Sequence, residues 1–278
     1  MPHPSTAQPA KRTRHLSFTR YECRDGIVTL TMSSPRTRNA LSAPAIADLA
    51  AACQRADLDE AARVVVLTGE GPAFCGGGDV KEMLASLDDG LPPPEQIRAS
   101  FDAGIQRLAR TLHGLRLPVI AAVNGPAIGA GLDLACMCDL RIASRRAAFA
   151  ESFVKLGLVP GDGGAWLLTR LLGPAKAGYL AFTGETIDAA RALELGLLSA
   201  VVDDDQLQSH ALALAARIAA HSRTALRLTK QLLRASATQS FDEVLHLSAD
   251  AQAQAIHSPE HREAVRALAD ALSTGNTH

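Results

Sequence analysis

The chain has 278 residues, of which 47% are hydrophobic and 21% charged, with a formal net charge of −1. This composition suits one large globular domain or a domain with an appendage, and its neutrality gives no general attraction for nucleic acid or a membrane surface. Five cysteines without a CxxC pair argue against a disulfide framework or a zinc site and for reduced, mostly buried thiols in a cytoplasmic protein.

Residues 1–14 (MPHPSTAQPAKRTR) are polar and basic with no apolar core, so a disordered tail is expected rather than a secretory signal. No stretch approaches the roughly eighteen apolar residues of a membrane span. Between Leu16 and Met32 residue types alternate around Asp25-Gly26, which predicts a hairpin. Apolar spacing over Ala43–Ala56 predicts a helix, with Ser42 as cap and Pro44 in its first turn. Arg63-Val-Val-Val-Leu67 reads as a buried strand, followed by a glycine-rich corner from Thr68 to Asp79 and a short helix from Val80.

After a break at residues 88–94 (DDGLPPP), one long amphipathic helix is expected over Glu95–Leu115. Pro118-Val-Ile-Ala-Ala-Val123 is a second buried strand, leading into a second glycine corner, Asn124–Gly131. Strand character returns near Leu140–Ala143, and a third glycine corner, Gly157–Gly164, precedes a helix ending near Gly173-Pro174. Helical spacing continues over residues 206–272, with starts at Ser222, Ser240 and Ser258-Pro259. The coarse architecture is an α/β body over residues 15–203 and a helical region over 204–278. Apolar content in Ala211–Ala219 and Leu226–Leu233 predicts buried faces there, and Trp166 is expected in the core.

Phe74-Cys-Gly-Gly-Gly-Asp-Val-Lys81 and Asn124-Gly-Pro-Ala-Ile-Gly-Ala-Gly-Leu-Asp133 share one design: strand, glycine turn, helix. Glycine lets backbone approach a ligand closely, and a helix start offers unpaired N–H groups. Neither corner fits a phosphate-binding fingerprint. Tight structural turns are one reading; paired donors converging on one oxygen that becomes negative are another.

The run Val119–Asp139 resembles the signature of the enoyl-CoA hydratase/isomerase (crotonase) superfamily. Phe74–Lys81, Asn39-Ala-Leu41, Gly157–Gly164 and Thr183–Leu198 are similar to its other elements, in order. The resemblance covers roughly residues 16–270. It implies a crotonase-like spiral of ββα units with a C-terminal α-helical trimerisation region, assembled as a homotrimer or a dimer of trimers. It implies an acyl-CoA thioester as substrate, with coenzyme A part of that substrate, and no metal or redox cofactor. The oxyanion hole would be the backbone N–H groups of Gly78 and Ala130. Lys81 would lie near the coenzyme A phosphates. Arg38 and Ala40, within Arg36–Ala40, would lie at the nucleotide end, with Gly76 also on the coenzyme A side.

Hydratases of this family use two glutamates. One of those positions is Asp133 here, a methylene shorter, and the other is Phe153, which can neither hold water nor transfer a proton. Asp133 is a candidate base or acid. Asp162, in Pro-Gly-Asp-Gly-Gly, sits where related isomerases, dehalogenases and ring-closing synthases place a working aspartate, and would face Asp133 across the substrate. Glu151 would share the face of Phe153 on an extended segment and is a third candidate. Hydration and single-carboxylate isomerisation both stay open, as do hydrolysis or displacement with Asp162 as nucleophile and a non-catalytic binding role.

Overall fold

A computed structural model describes residues 18–88 and 90–273; the expected tail lies outside the described residues. Strands β1 (Thr19–Arg24) and β2 (Ile27–Met32) form the hairpin, turning where Asp25 (φ 51°) and Gly26 (φ 78°) both take positive φ. Helix α1 (Ala43–Leu58) begins where Ser42 accepts a hydrogen bond from Ala45 N. Strand β3 (Val64–Gly69) is buried along its whole length, and α2 (Val80–Asp88) follows the first corner without burying any residue.

The single helix expected over Glu95–Leu115 is two: α3 (Pro94–Ala103) and α4 (Ile105–Gly114). Gly104 stands between them at φ −96°, ψ −109°, outside the helical well, and ends the hydrogen-bond ladder. The break re-aims α4, which buries Leu108 and Leu112, while α3 buries nothing.

Next come β4 (Val119–Val123), β5 (Ala127–Ile128) and α5 (Ala130–Cys136). They are followed by β6 (Leu140–Ser144), β7 (Ala148–Ala150), a 3-10 turn over Phe153–Leu156 and α6 (Gly164–Leu172). The chain continues through α7 (Pro174–Thr183), β8 (Thr186–Asp188), α8 (Ala189–Leu195) and β9 (Ala200–Val202). The six-stranded sheet has the order β1-β2-β3-β4-β6-β9, parallel from β2 onward, and a smaller sheet has the order β5-β7-β8. Cys75 bridges to Ala127, so the first corner also reaches the smaller sheet. Each turn of the spiral is thus a long strand, a short strand or bridge, and a helix.

Four helices close the chain: α9 (Leu207–Ala219), α10 (Arg223–Ala235), α11 (Phe241–His257) and α12 (Pro259–Ser273). Helix α9 lies on the back of the large sheet, where Leu207, Ala211 and Ala215 pack with Val64, Val66, Ile120, Ala122 and Ile142. The apolar face expected to be buried over Leu226–Leu233 is only half-buried, at Leu226, Leu228 and Leu232. The buried residue of α10 is Lys230, and Leu233 is 69% exposed. Charge anchors this helix instead: Lys230 Nζ donates to Asp139 Oδ2 at 2.5 Å and to Leu117 O at 2.6 Å. Asp139 Oδ2 also accepts from Val119 N at 2.7 Å. Trp166 is exposed rather than in the core, with the Arg170 guanidinium over its ring at 3.8 Å. Cys53, Cys75, Cys136 and Cys138 are buried and Cys23 exposed, all as free thiols.

The ion pair predicts that Lys230→Met, which leaves Asp139 only the Arg234 guanidinium at 3.8 Å, lowers the unfolding free energy by about 3 kcal/mol in denaturant titration. Asp139→Asn in the same chain should recover part of that loss.

Candidate active site

The first two glycine corners touch backbone to backbone. Ile128 N donates to Cys75 O at 3.0 Å, and Phe74 N and Cys75 N both donate to Pro126 O at 3.1 Å. A Cβ on Gly131 would collide with the Cys75 carbonyl, and one on Gly77 would stand 2.6 Å from Ile128 O and 3.8 Å from Ala130 N. The position of Gly77 so close to Ala130 brings the N–H groups of Gly78 and Ala130 into one neighbourhood. Neither has a backbone acceptor among the described residues. Ala130 opens α5 behind Gly129, whose φ of 53° and ψ of −120° suit glycine alone.

Two asparagines, Asn39 buried and Asn124 half-buried, hold the corners in register. Asn39 Oδ1 accepts from Ser34 N at 2.9 Å, while its Nδ2 donates to Glu70 O, Ala73 O and Phe74 O at 2.9–3.2 Å. Asn124 Oδ1 accepts from Gly69 N at 3.1 Å and its Nδ2 donates to Gly71 O at 3.0 Å. Asn39 and Arg38 are both left-handed, at φ 56° and 55°, and Gly76 N donates to Arg38 O at 2.8 Å. Arg38, Ala40 and Gly76 therefore meet on one side of the first corner. Lys81 is exposed at the start of α2.

Below Ala130, one helical turn along α5, stands Asp133. It is 0% exposed, Glu151 is 1% and Asp162 is 3%. The carboxyl of Asp133 engages both of the others. Among the described residues no donor reaches Asp133 Oδ1 or Oδ2, either oxygen of Glu151, or Asp162 Oδ1. Two carboxyl oxygens can bond only through a proton between them. Burial, then bonding to and the charge of Asp162, then Glu151, push the Asp133 pKa well above the usual carboxylate range. Burial and the charge of Asp162 raise that of Glu151 to about 8, and the bond with Asp133 opposes the rise.

Asp133 and Asp162 thus stand against one another, not across a substrate-sized gap. Glu151 and Phe153 do not share a face either. The extended segment ends at β7, the backbone turns at Ser152 (ψ 6°), and a 3-10 turn begins at Phe153. Glu151 points inward, and the Phe153 ring lies beside Gly129, with Cζ 3.8 Å from where a Cβ there would be.

Three neighbours had no sequence signal. The Met83 methyl lies over Gly78, the Phe101 ring against Gly161, and Gln106 Nε2 donates to Gly161 O at 2.8 Å. The last two come from the broken helix and brace the loop that carries Asp162; only the break at Gly104 lets them face it.

Residues 22–274 match the family described as Enoyl-CoA hydratase/isomerase. The chain is 38% identical over 243 residues to the 1,2-epoxyphenylacetyl-CoA isomerase of Escherichia coli (strain K12), covering 87% of this chain and 92% of that protein. It is 36% identical over 249 residues to a protein named probable enoyl-CoA hydratase in Rhodobacter capsulatus, covering 90% and 93%. Its fold is similar to that of the crystal structure of an enoyl-CoA hydratase from Bacillus anthracis, with a TM-score of 0.85 at 30% identity, covering 91% and 96%.

The contact between the corners predicts that Gly131→Ala, whose added methyl must displace the Cys75 carbonyl, destabilises the fold by about 3 kcal/mol in thermal or denaturant unfolding. Gly90→Ala, at a glycine with open space around it but positive φ, should cost only about 1 kcal/mol.

Proposed function

Since this chain belongs to the enoyl-CoA hydratase/isomerase family and is an enzyme of it, we propose that it relocates a proton on an acyl-CoA thioester through an enolate, isomerising the substrate rather than adding water to it. The observation that carries this reading is the Phe153 ring beside Gly129. At the position where the family's hydratases have their second glutamate, this chain has a side chain that cannot activate water.

In the proposed reaction the thioester carbonyl accepts hydrogen bonds from Gly78 N–H and Ala130 N–H. The Asp133 carboxylate takes a proton from a carbon of the acyl chain, the C–H electron pair moves into the conjugated system, and negative charge collects on the carbonyl oxygen. Each N–H is worth about 3–4 kcal/mol of transition-state stabilisation in such a site. The proton then returns to a different carbon, so the atoms of substrate and product are the same. The apolar wall at Phe153 keeps water from protonating the enolate. Access to Asp133 requires the covering side chains to move, and α2, with no residue buried, carries Met83 over the donors. Arg38, Ala40, Gly76 and Lys81 border the first corner and would take the coenzyme A moiety.

The name of the Escherichia coli relative favours a second substrate for the same proton shift, an arylacetyl-CoA epoxide. The exposed Leu233, Phe241, Leu245, Val265 and Leu268 of α10–α12 suit assembly with further copies of the chain.

A parallel assay on a 2-enoyl-CoA, a 3-enoyl-CoA and an arylacetyl-CoA epoxide, read by mass, tests the proposal. The expected outcome is isomerisation without a mass gain, reduced about 10²–10⁴-fold in kcat by Asp133→Asn. Water addition that is lost in Asp133→Asn would overturn it in favour of hydration. Gly164→Ala, whose Cβ would strike the Asp133 carboxyl, should lower kcat by about 100-fold with a smaller change in KM.

A further inference from the structure

Glu151 has no task in a reaction run by one carboxylate, yet it stands where its charge cannot be hydrated. Its oxygens are sealed and have no donor among the described residues. The backbone places it by a short route. Gly129 N donates to Ala150 O at 2.7 Å, so the residue that follows Ala150 is carried to the foot of α5, beside Asp133.

The titratable groups around it are of one kind. Asp133 faces it from α5 and Asp162 from the loop before α6. Cys136, one turn beyond Asp133, is a thiol whose ionisation burial suppresses first and the two carboxyls Asp133 and Glu151 suppress further. Arg141 of β6, which lies near Cys136, directs its guanidinium to Leu197 O at 2.7 Å and Cys138 O at 2.6 Å. No ion pair joins any of the three carboxyls to a cation among the described residues. A proton is then the counterion open to them.

Resting on the reading of Asp133 as the proton carrier, we propose that Glu151 is its positioning residue, the two carboxyls sharing one buried proton that holds Asp133 in place and leaves it a base. When Asp133 takes the substrate proton, the pair carries two protons; when it gives that proton to the other carbon, the pair returns to one. Nothing is oxidised or reduced, and no proton leaves the cluster. Loss of the shared proton at high pH leaves buried like charges facing each other, which weakens both the fold and the aim of Asp133.

Because the shared proton is bound more tightly in the folded chain than in the unfolded one, its contribution to stability is full below the unfolded-state pKa and is lost progressively as pH rises from there to the raised pKa of about 8. Glu151→Gln replaces the O–H with an amide N–H donor to Asp133 and removes the titration. The experiment measures Tm of the full chain and of Glu151→Gln from about pH 5 to about pH 9. The expected result is a Tm of the variant that gains on that of the full chain by about 2–4 °C per pH unit from about pH 5 to about pH 8 and levels off above it. The same variant should lose the alkaline limb of the kcat/KM profile.

A Tm difference that stays constant across pH would reduce Glu151 to a packing residue and overturn the proposal. Should Glu151→Gln fail to fold, infrared spectra of the unmodified protein with carboxyl-labelled glutamate decide the matter: a protonated glutamate carboxyl band at neutral pH supports the shared proton, and its absence sinks it. These readouts need no substrate. A growing Tm difference in a protein inactive on all three thioesters would therefore uphold the shared proton while rejecting the reaction, and a flat difference in an active isomerase would do the reverse.

Discussion

Where the Cys75 carbonyl meets Ile128 N and the Cα of Gly131, no side chain can stand, and the rest of the molecule is arranged around that exclusion. The contact requires glycine at 77 and 131 because a methyl at either would force the two corners apart. It also requires the strands behind them to lie side by side: β3 and β4 pair in parallel, Val65 with Val119 through Thr68 with Ala122, and so deliver both corners to the same edge. Asn39 and Asn124 then satisfy the carbonyls that such a tight turn leaves without partners. Two N–H groups remain unused, and they lie where a developing negative charge can be met without rearranging the backbone.

Electrostatically the molecule has two opposite treatments of buried charge. Lys230 is sealed, but it has a carboxylate and a carbonyl within hydrogen-bond distance, and it ties α10 to the start of β4 and the end of α5 through Asp139 and Leu117. Burial alone would pull the Lys230 pKa down, and Asp139 opposes that. The carboxyls of Asp133, Glu151 and Asp162 have no such partner. Groups left in that state are expensive in a fold that could have buried leucines.

Much of this was legible from residue order. The hairpin at Asp25-Gly26, the strands of Val64–Gly69 and Val119–Val123, and the caps at Ser42, Ser222 and Ser240 are local matters, decided by turn chemistry, β-branched runs and hydroxyl acceptors within a few residues. The glycine corners were visible for the same reason, since their backbone demands exclude other residues. The break at Gly104 was not, because one glycine inside an otherwise periodic run is tolerated as often as it terminates a helix. The face of α10 was misjudged because periodicity reports where apolar residues lie, not which side meets the core.

The sequence by itself determined the family, the two converging corners and the loss of a hydratase glutamate at Phe153, since each is a matter of residue type at a position in the chain. Only the tertiary structure decided that Asp133, Glu151 and Asp162 form one cluster. These residues come from a helix, a strand end and a loop spread over 30 positions of sequence. Their meeting depends on the β5–β7 pairing and on Gly164 leaving room for the Asp133 carboxyl. Side-chain direction at a turn such as Ser152 follows from backbone angles that the neighbouring packing sets, and no local pattern encodes them.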